Sequence, residues 1–195
     1  IRESKTKSDV HMSDLPPLKT VIEKLGLIPH HVEGGYFLQT YKAKEKTLKA
    51  FLTDRFDGDR AFATSIYYVI PPHRISSLHL MFADEGWLFF LGSPINLVEI
   101  TPEGETIETI LGQDIANGQV PQHTVMHGNW LGAYNLNPDQ YSLVGCTVSP
   151  GMELDDYRHG DPKELLEQFP HLSDLIHKLT WPDDIKPPPY DPDNN

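Results

Sequence analysis

Between residues 77 and 92 the chain reads SLHLMFADEGWLFFLG, placing an imidazole at His79, a thioether at Met81 and a carboxylate at Glu85. An imidazole and a carboxylate held together can do two kinds of chemistry. They can ligate a metal such as Zn, Mn, Fe or Ni. Alternatively, as a proton-carrying pair in a dry pocket, they can remove and return a proton next to a carbonyl, as in epimerisation or aldose–ketose isomerisation. A metal needs three or four donors, and a thioether is a poor one for these ions. His123 and His127 are the candidates for a third donor, but the turn expected at GNW directs His127 to solvent. We therefore expect no metal and no other cofactor, with His79 as base, Glu85 as its orienting partner and Tyr68 as the opposing acid. Tyr36 and Tyr134 are the alternatives to Tyr68. Trp87, Phe89 and Trp130 offer flat faces on which a sugar or base can stack.

Two strands would position these groups. If SSLHLMF and EGWLFFLG form a hairpin joined near Phe82 to Asp84, alternation puts His79 and Met81 on one face of the first. Glu85, Trp87 and Phe89 then share a face of the second. The opposite parity, Leu78, Leu80, Phe82, Leu88 and Phe90, is apolar, so both faces need cover, from a second sheet or from another subunit. Similar short runs rich in Val, Ile, Tyr, Phe and Thr continue from Gly35 to Pro150, separated by turn-forming pairs such as PP, EG, NG and NP. That texture predicts an all-β antiparallel sandwich or barrel. TPEGET reads as a hairpin turn, because Gly104 takes a positive φ without steric cost.

Short helices flank this region. Leu18, Val21, Ile22 and Leu25 recur at helical spacing after Pro16 and Pro17 and before Gly26. Asp161 can cap a helix opened by Pro162, and Leu172, Leu175, Ile176 and Leu179 mark another. A single domain over residues 15–180 is expected from 195 residues in all. Residues 1–14 read as a flexible segment or a cloning scar, and 181–195 as a proline-rich acidic tail.

The net charge of -12, from 16 Lys plus Arg against 28 Asp plus Glu, disfavours nucleic acid and anionic membranes as partners. The one cysteine, Cys146, lies in an apolar run and reads as a core thiol, which excludes an intramolecular disulfide. With no long apolar run and no secretory pattern, a cytoplasmic location is expected. His30 and His31 read as a solvated loop, and His159, His171 and His177 as surface residues. No GxSxG, HExxH, P-loop or dinucleotide fingerprint occurs.

His79, Met81, Glu85 and Gly92 fall at the intervals of the first cupin motif, with Met81 where the second histidine stands. Met126, Gly128, Leu131 and Asn135 fall at those of the second motif, with Leu131 in the histidine place. Further segments narrow the likeness: VEGGYFLQTY (32 to 41), SIYYVIPP (65 to 72), the SxxHxxxxDExW pattern from Ser76 or Ser77 through Trp87, LGQD with VPQ, GNW, and SLVGCTVSPG (142 to 151). Over about residues 18 to 170 the chain resembles the cupin family long listed as domain of unknown function 985. The resemblance implies a double-stranded β-helix, or jelly-roll barrel, with a pocket inside and a homodimer as the usual assembly; a solution mass of one chain would rule that assembly out. It draws Glu33, Gln39, Ser77 and Gln122 into the expected pocket beside Tyr36, Met81, Trp87, Phe89, Trp130 and Tyr134. Leu80 replaces a usual Arg, Phe90 a Tyr or His, Gln39 a Glu and Met126 a Pro, which implies a less polar pocket. Three readings stay open: a sugar or nucleotide-sugar-like ligand handled by metal-free isomerase or epimerase chemistry, a small-ligand binder without chemistry, and a metal-dependent oxygenase or isomerase.

Overall fold

The computed structural model describes residues 15–181. The expected N-terminal segment and the tail beyond Trp181 lie outside the described residues. Two antiparallel sheets face each other. The first carries β1 (Ile28–Pro29), β2 (Tyr36–Lys42), β5 (Thr64–Ile70), β12 (Ser142–Ser149), β7 (Asp84–Gly92) and β10 (Gln122–Val125), in that spatial order. The second carries β13 (Tyr157–His159), β6 (Ile75–Met81), β11 (Trp130–Asn135), β8 (Ile95–Ile100) and β9 (Thr106–Leu111). A small ribbon of β3 (Lys46–Thr47) and β4 (Arg60–Ala61) stands apart. The fold is thus the expected all-β jelly roll, although hydrogen bonding among the described residues leaves two open sheets rather than a closed barrel.

The expected hairpin of SSLHLMF and EGWLFFLG does not form. β6 and β7 are consecutive in sequence but belong to opposite sheets, so His79 and Glu85 meet across the interior. Parity still acts as expected from His79 to Met81 and from Glu85 to Trp87. Met81 and His79 on β6 and Glu85 and Trp87 on β7 are all buried. TPEGET does join a true hairpin, with β8 and β9 paired from Ile95↔Leu111 to Ile100↔Thr106.

Between the sheets lies a core of Ile70, Trp87, Ile95, Leu97, Leu111, Leu131 and Val144. The outer face of β6 is covered by two C-terminal helices, α2 (Pro162–Gln168) and α3 (Ser173–Leu179), rather than by a third sheet. Asp161 caps α2 by accepting from the Lys163 and Glu164 amides. Helices of seven residues are too short to persist alone. They are held by Leu165, Ile176 and Leu179, each about 1.5–3 kcal/mol when fully buried, packed on Leu78, Val98 and Ile100. On the other sheet Leu88 and Phe90 receive no such cover among the described residues, and Phe90 stays 39% exposed. α1 (Leu18–Leu25) packs with Tyr36, Val69, Tyr141 and Leu143 at one end. Among the described residues no helix is long and apolar enough to cross a membrane.

One irregularity shapes the site. On β6, His79 pairs with Leu131 but Ser76 pairs with Ala133, so Gly132 faces two residues, Ser77 and Leu78. This β-bulge turns both outward and returns Ser76 to the interior. Ser77 accordingly donates its hydroxyl to the Leu179 carbonyl on the helix side.

Candidate functional site

A cavity of about 100 Å³ opens between the sheets, lined by β2, β5, β6, β7, β12 and β13. Glu33, Met81, Glu85, Cys146 and Tyr157 form its polar and polarisable wall, with His30 and Gln39 at the rim and Phe37 and Ile66 among its apolar lining. His79 lies behind this layer, 1% exposed. Its Nδ1 donates to the Ser77 carbonyl at 2.8 Å, which leaves Nε2 facing Glu85 Oε2 at 3.6 Å. Glu33 Oε2 is 3.9 Å from Nδ1 and accepts from the Ser76 hydroxyl at 3.2 Å. The Tyr157 ring stacks on the imidazole, with centroids 5.4 Å apart and planes at 21°. Among the described residues two buried polar atoms of this wall have no hydrogen-bond partner: Glu85 Oε2 and the Tyr157 hydroxyl.

The loop carrying His30 and Glu33 is fixed by its backbone. The Ser77 amide donates to the Glu33 carbonyl at 3.0 Å, and the Tyr68 hydroxyl donates to the Gly34 carbonyl at 2.8 Å. Gly35, at φ 78°, passes so close to β5 that a Cβ there would sit 2.2 Å from the Val69 carbonyl oxygen. Only glycine permits that approach.

Electrostatics decide which groups carry protons. Burial works against a charged His79, but the Glu33 carboxylate, then Glu85 and the Ser77 carbonyl, outweigh it and raise the ring to about 9. Burial first, and then the charge of Glu33, pushes the Tyr157 phenol far up. Tyr68 is raised by the same two causes, and Cys146 by burial and then Glu85. At neutral pH the imidazole, both phenols and the thiol all hold their protons. Proton acceptance in this cavity therefore falls to Glu33 and Glu85. A ring raised in the folded state stabilises the fold fully below its unfolded value near 6.5, and that contribution is lost as pH climbs through about 9. An NMR titration of the His79 ring is expected to show a midpoint well above 6.5, with unfolding free energy declining across the same window. A midpoint at or below 6.5 would contradict this.

The structure brings together His79, Glu85, Glu33, Met81 and Gln39. Trp87 and Phe89 face the same interior, but Trp87 fills the core against Tyr68, ring centroids 5.9 Å apart, and Phe89 packs on that core. Tyr68 is fully buried and its hydroxyl proton is committed to Gly34. The remaining expected residues lie elsewhere. Tyr36 points to the α1 side, because alternation on β2 sends Phe37 and Gln39 inward. Ser77 faces α3 through the bulge. Trp130 packs under the C-terminal helices, and Tyr134 lies there too, its hydroxyl accepting from Asn96 at 2.8 Å. Gln122 is exposed on β10, in a separate dent beside Leu88 and Thr147. Sequence reasoning missed Tyr157 and His30, the latter expected as loop, and of the two candidate serines it chose Ser77 over Ser76; Cys146 is the core thiol expected and also lines the cavity.

The model of the cupin superfamily family designated domain of unknown function 985 matches residues 19–160. The chain belongs to this family. Among solved structures, this cupin is similar to a Shewanella oneidensis protein at 33% identity and TM-score 0.76, covering 87% of this chain and 100% of that one. It is also similar to a hypothetical protein from Leishmania major at 25% identity and TM-score 0.77, covering 86% of this chain and 100% of that one. No curated protein matches the chain.

The cupin motif's metal positions do not fit a divalent metal here. One imidazole, with Nδ1 engaged by a carbonyl, and one carboxylate are accompanied by Met81 and Leu131. Neither proposed third donor joins them: His123 Nε2 pairs with Glu99 at 2.7 Å and His127 Nδ1 with Asp84 at 2.7 Å. Among the described residues no three His, Cys, Asp or Glu side chains gather in a metal-holding arrangement.

Proposed function

We propose that this cupin binds a small sugar-like hydroxy-carbonyl compound and moves a proton at the carbon next to its carbonyl, an isomerase or epimerase reaction. The observation that carries this reading is the pair of buried atoms on one cavity wall that lack a hydrogen bond, Glu85 Oε2, whose nearest charge is His79 at 3.6 Å, and the Tyr157 hydroxyl. Leaving such atoms unpaired costs about 1–3 kcal/mol each, and a ligand offering a donor to one and an acceptor to the other removes the cost.

The roles differ from those expected from sequence. Glu85, on the cavity wall, is the base that takes the proton from carbon. Tyr157, whose phenol stays protonated, donates a hydrogen bond to the carbonyl oxygen as negative charge develops there. His79 sits behind the wall and is a positioning residue, its ring facing Glu85 Oε2 at 3.6 Å and orienting that carboxylate. The enediolate formed regains the proton from Glu85 at the original carbon or, once the proton of the neighbouring hydroxyl has passed to the former carbonyl oxygen, at that neighbouring carbon.

Aldoses and ketoses from three to six carbons, incubated with the protein in D2O, are expected to gain deuterium next to the carbonyl faster than in buffer alone. No incorporation across the panel would overturn the catalytic reading. A second reading, ligand binding without turnover, rests on the same two atoms. It predicts a saturable shift of the His79 resonance with no incorporation.

A further inference from the structure

The same cavity also restricts which compounds can enter. Glu33 and Glu85 bring two carboxylates to its wall, and His79 supplies one compensating positive charge from behind. Among the described residues no Lys or Arg lines it. Arg60, whose partner Asp156 precedes Tyr157, is engaged with Asp156 and Asp57 at 2.6–2.7 Å and is only 4% exposed in its side chain. A phosphate ester needs cationic or clustered amide donors, and this wall presents acceptors. The volume argues in the same direction. About 100 Å³ lies well below the roughly 300–1,000 Å³ of pockets that hold drug-sized ligands. That favours a hydroxy-carbonyl compound of few carbons over a nucleotide sugar. Glu33, at 13% side-chain exposure against 9% for Glu85, stands nearer the opening beside His30, which is 21% exposed.

We propose that the pocket takes uncharged two- or three-carbon hydroxy-carbonyl compounds, and that the carboxylate of Glu33 near its mouth turns away their phosphate esters. This inference rests on the reading of the cavity as a hydroxy-carbonyl site. Dihydroxyacetone and dihydroxyacetone phosphate form the matched pair. Each is titrated into the full chain in D2O while the His79 ring resonance is followed by NMR. Dihydroxyacetone is expected to give a saturable shift and the phosphate ester to bind at least tenfold more weakly. In Glu33→Gln the gap closes to less than threefold, whereas Glu33→Asp, which keeps the charge, keeps the gap.

Equal or tighter binding of the ester to the wild-type protein overturns the inference, as does the absence of a saturable shift with dihydroxyacetone. A gap unchanged in Glu33→Gln removes the role given to Glu33. Should that variant not fold, the wild-type ratio decides the charge class. Deuterium incorporation is read from the same samples and separates the two claims. Charge-selective binding without incorporation leaves this inference standing and sinks the proton-transfer reading alone.

Discussion

Glu85→Gln is expected to lower deuterium incorporation by about 10²–10⁴-fold, the usual worth of a positioned general base, while ligand still shifts the His79 resonance. The amide keeps the shape of the carboxylate but cannot take a proton from carbon. It also removes one of the two carboxylates that raise His79 to about 9, so the ring's midpoint falls in the variant, partway because Glu33 remains. His79→Gln has a different signature. Since His79 acts through Glu85, losing it changes the pH dependence of incorporation as well as its rate, because the ring that titrates at about 9 no longer faces that carboxylate. A Glu85→Gln protein retaining more than a tenth of wild-type incorporation would show that the proton is taken by another group, with Glu33 the next candidate.

The largest effect on stability is expected at Arg60. Its Nε and Nη2 donate to both carboxylate oxygens of Asp156 at 2.6 and 2.7 Å, Nη2 also reaches Asp57 at 2.6 Å, and Nη1 donates to the Asp59 carbonyl at 3.1 Å. Asp156 is 1% exposed. Removing the guanidinium strands this carboxylate in the interior, at a cost of about 3–5 kcal/mol. At about 2–4 °C per kcal/mol for a domain of this size, Arg60→Met is expected to lower Tm by roughly 6–20 °C. Arg60→Met with Asp156→Leu removes both charges and is expected to recover a large part of that loss. A single variant melting within 2 °C of wild type would show that water reaches Asp156 and that the pair contributes little. The pair also bears on the site, because Asp156 is followed by Tyr157, the residue stacked on His79.

What could be read from sequence was local. Asp161 and Pro162 announced α2, Leu18 to Leu25 before Gly26 announced α1, and Gly104 announced the β8–β9 hairpin, because each depends on residues a few positions apart. Alternation correctly turned His79, Met81, Glu85 and Trp87 inward. On β2 the same alternation is incompatible with Tyr36 and Gln39 sharing the pocket, and the strand turns Phe37 and Gln39 inward and Tyr36 to the α1 side. The partner of each strand was not legible from spacing. β6 and β7 read as a hairpin because they are adjacent in the chain, yet each pairs with distant strands, β11 and β13 for one, β12 and β10 for the other. Tyr157 carried no local signal at all. It arrives beside His79 only because β13 pairs with β6 through Tyr157↔Met81, and that register is a property of the folded chain.

The bulge on β6 changes how this family's sequences should be compared. With Ser77 and Leu78 both turned to the helices, the strand contributes to the pocket at 76, 79 and 81, a step of three followed by a step of two. An alignment that closes a one-residue gap here places the wrong serine beside the histidine. A one-residue deletion at 77 or 78 would restore plain alternation. It would leave Ser76 facing Glu33 and remove one of the two side chains turned to the helices, either the Ser77 anchor to Leu179 or the Leu78 packing, so that a single extra residue ties the pocket wall to the packing of the last helix.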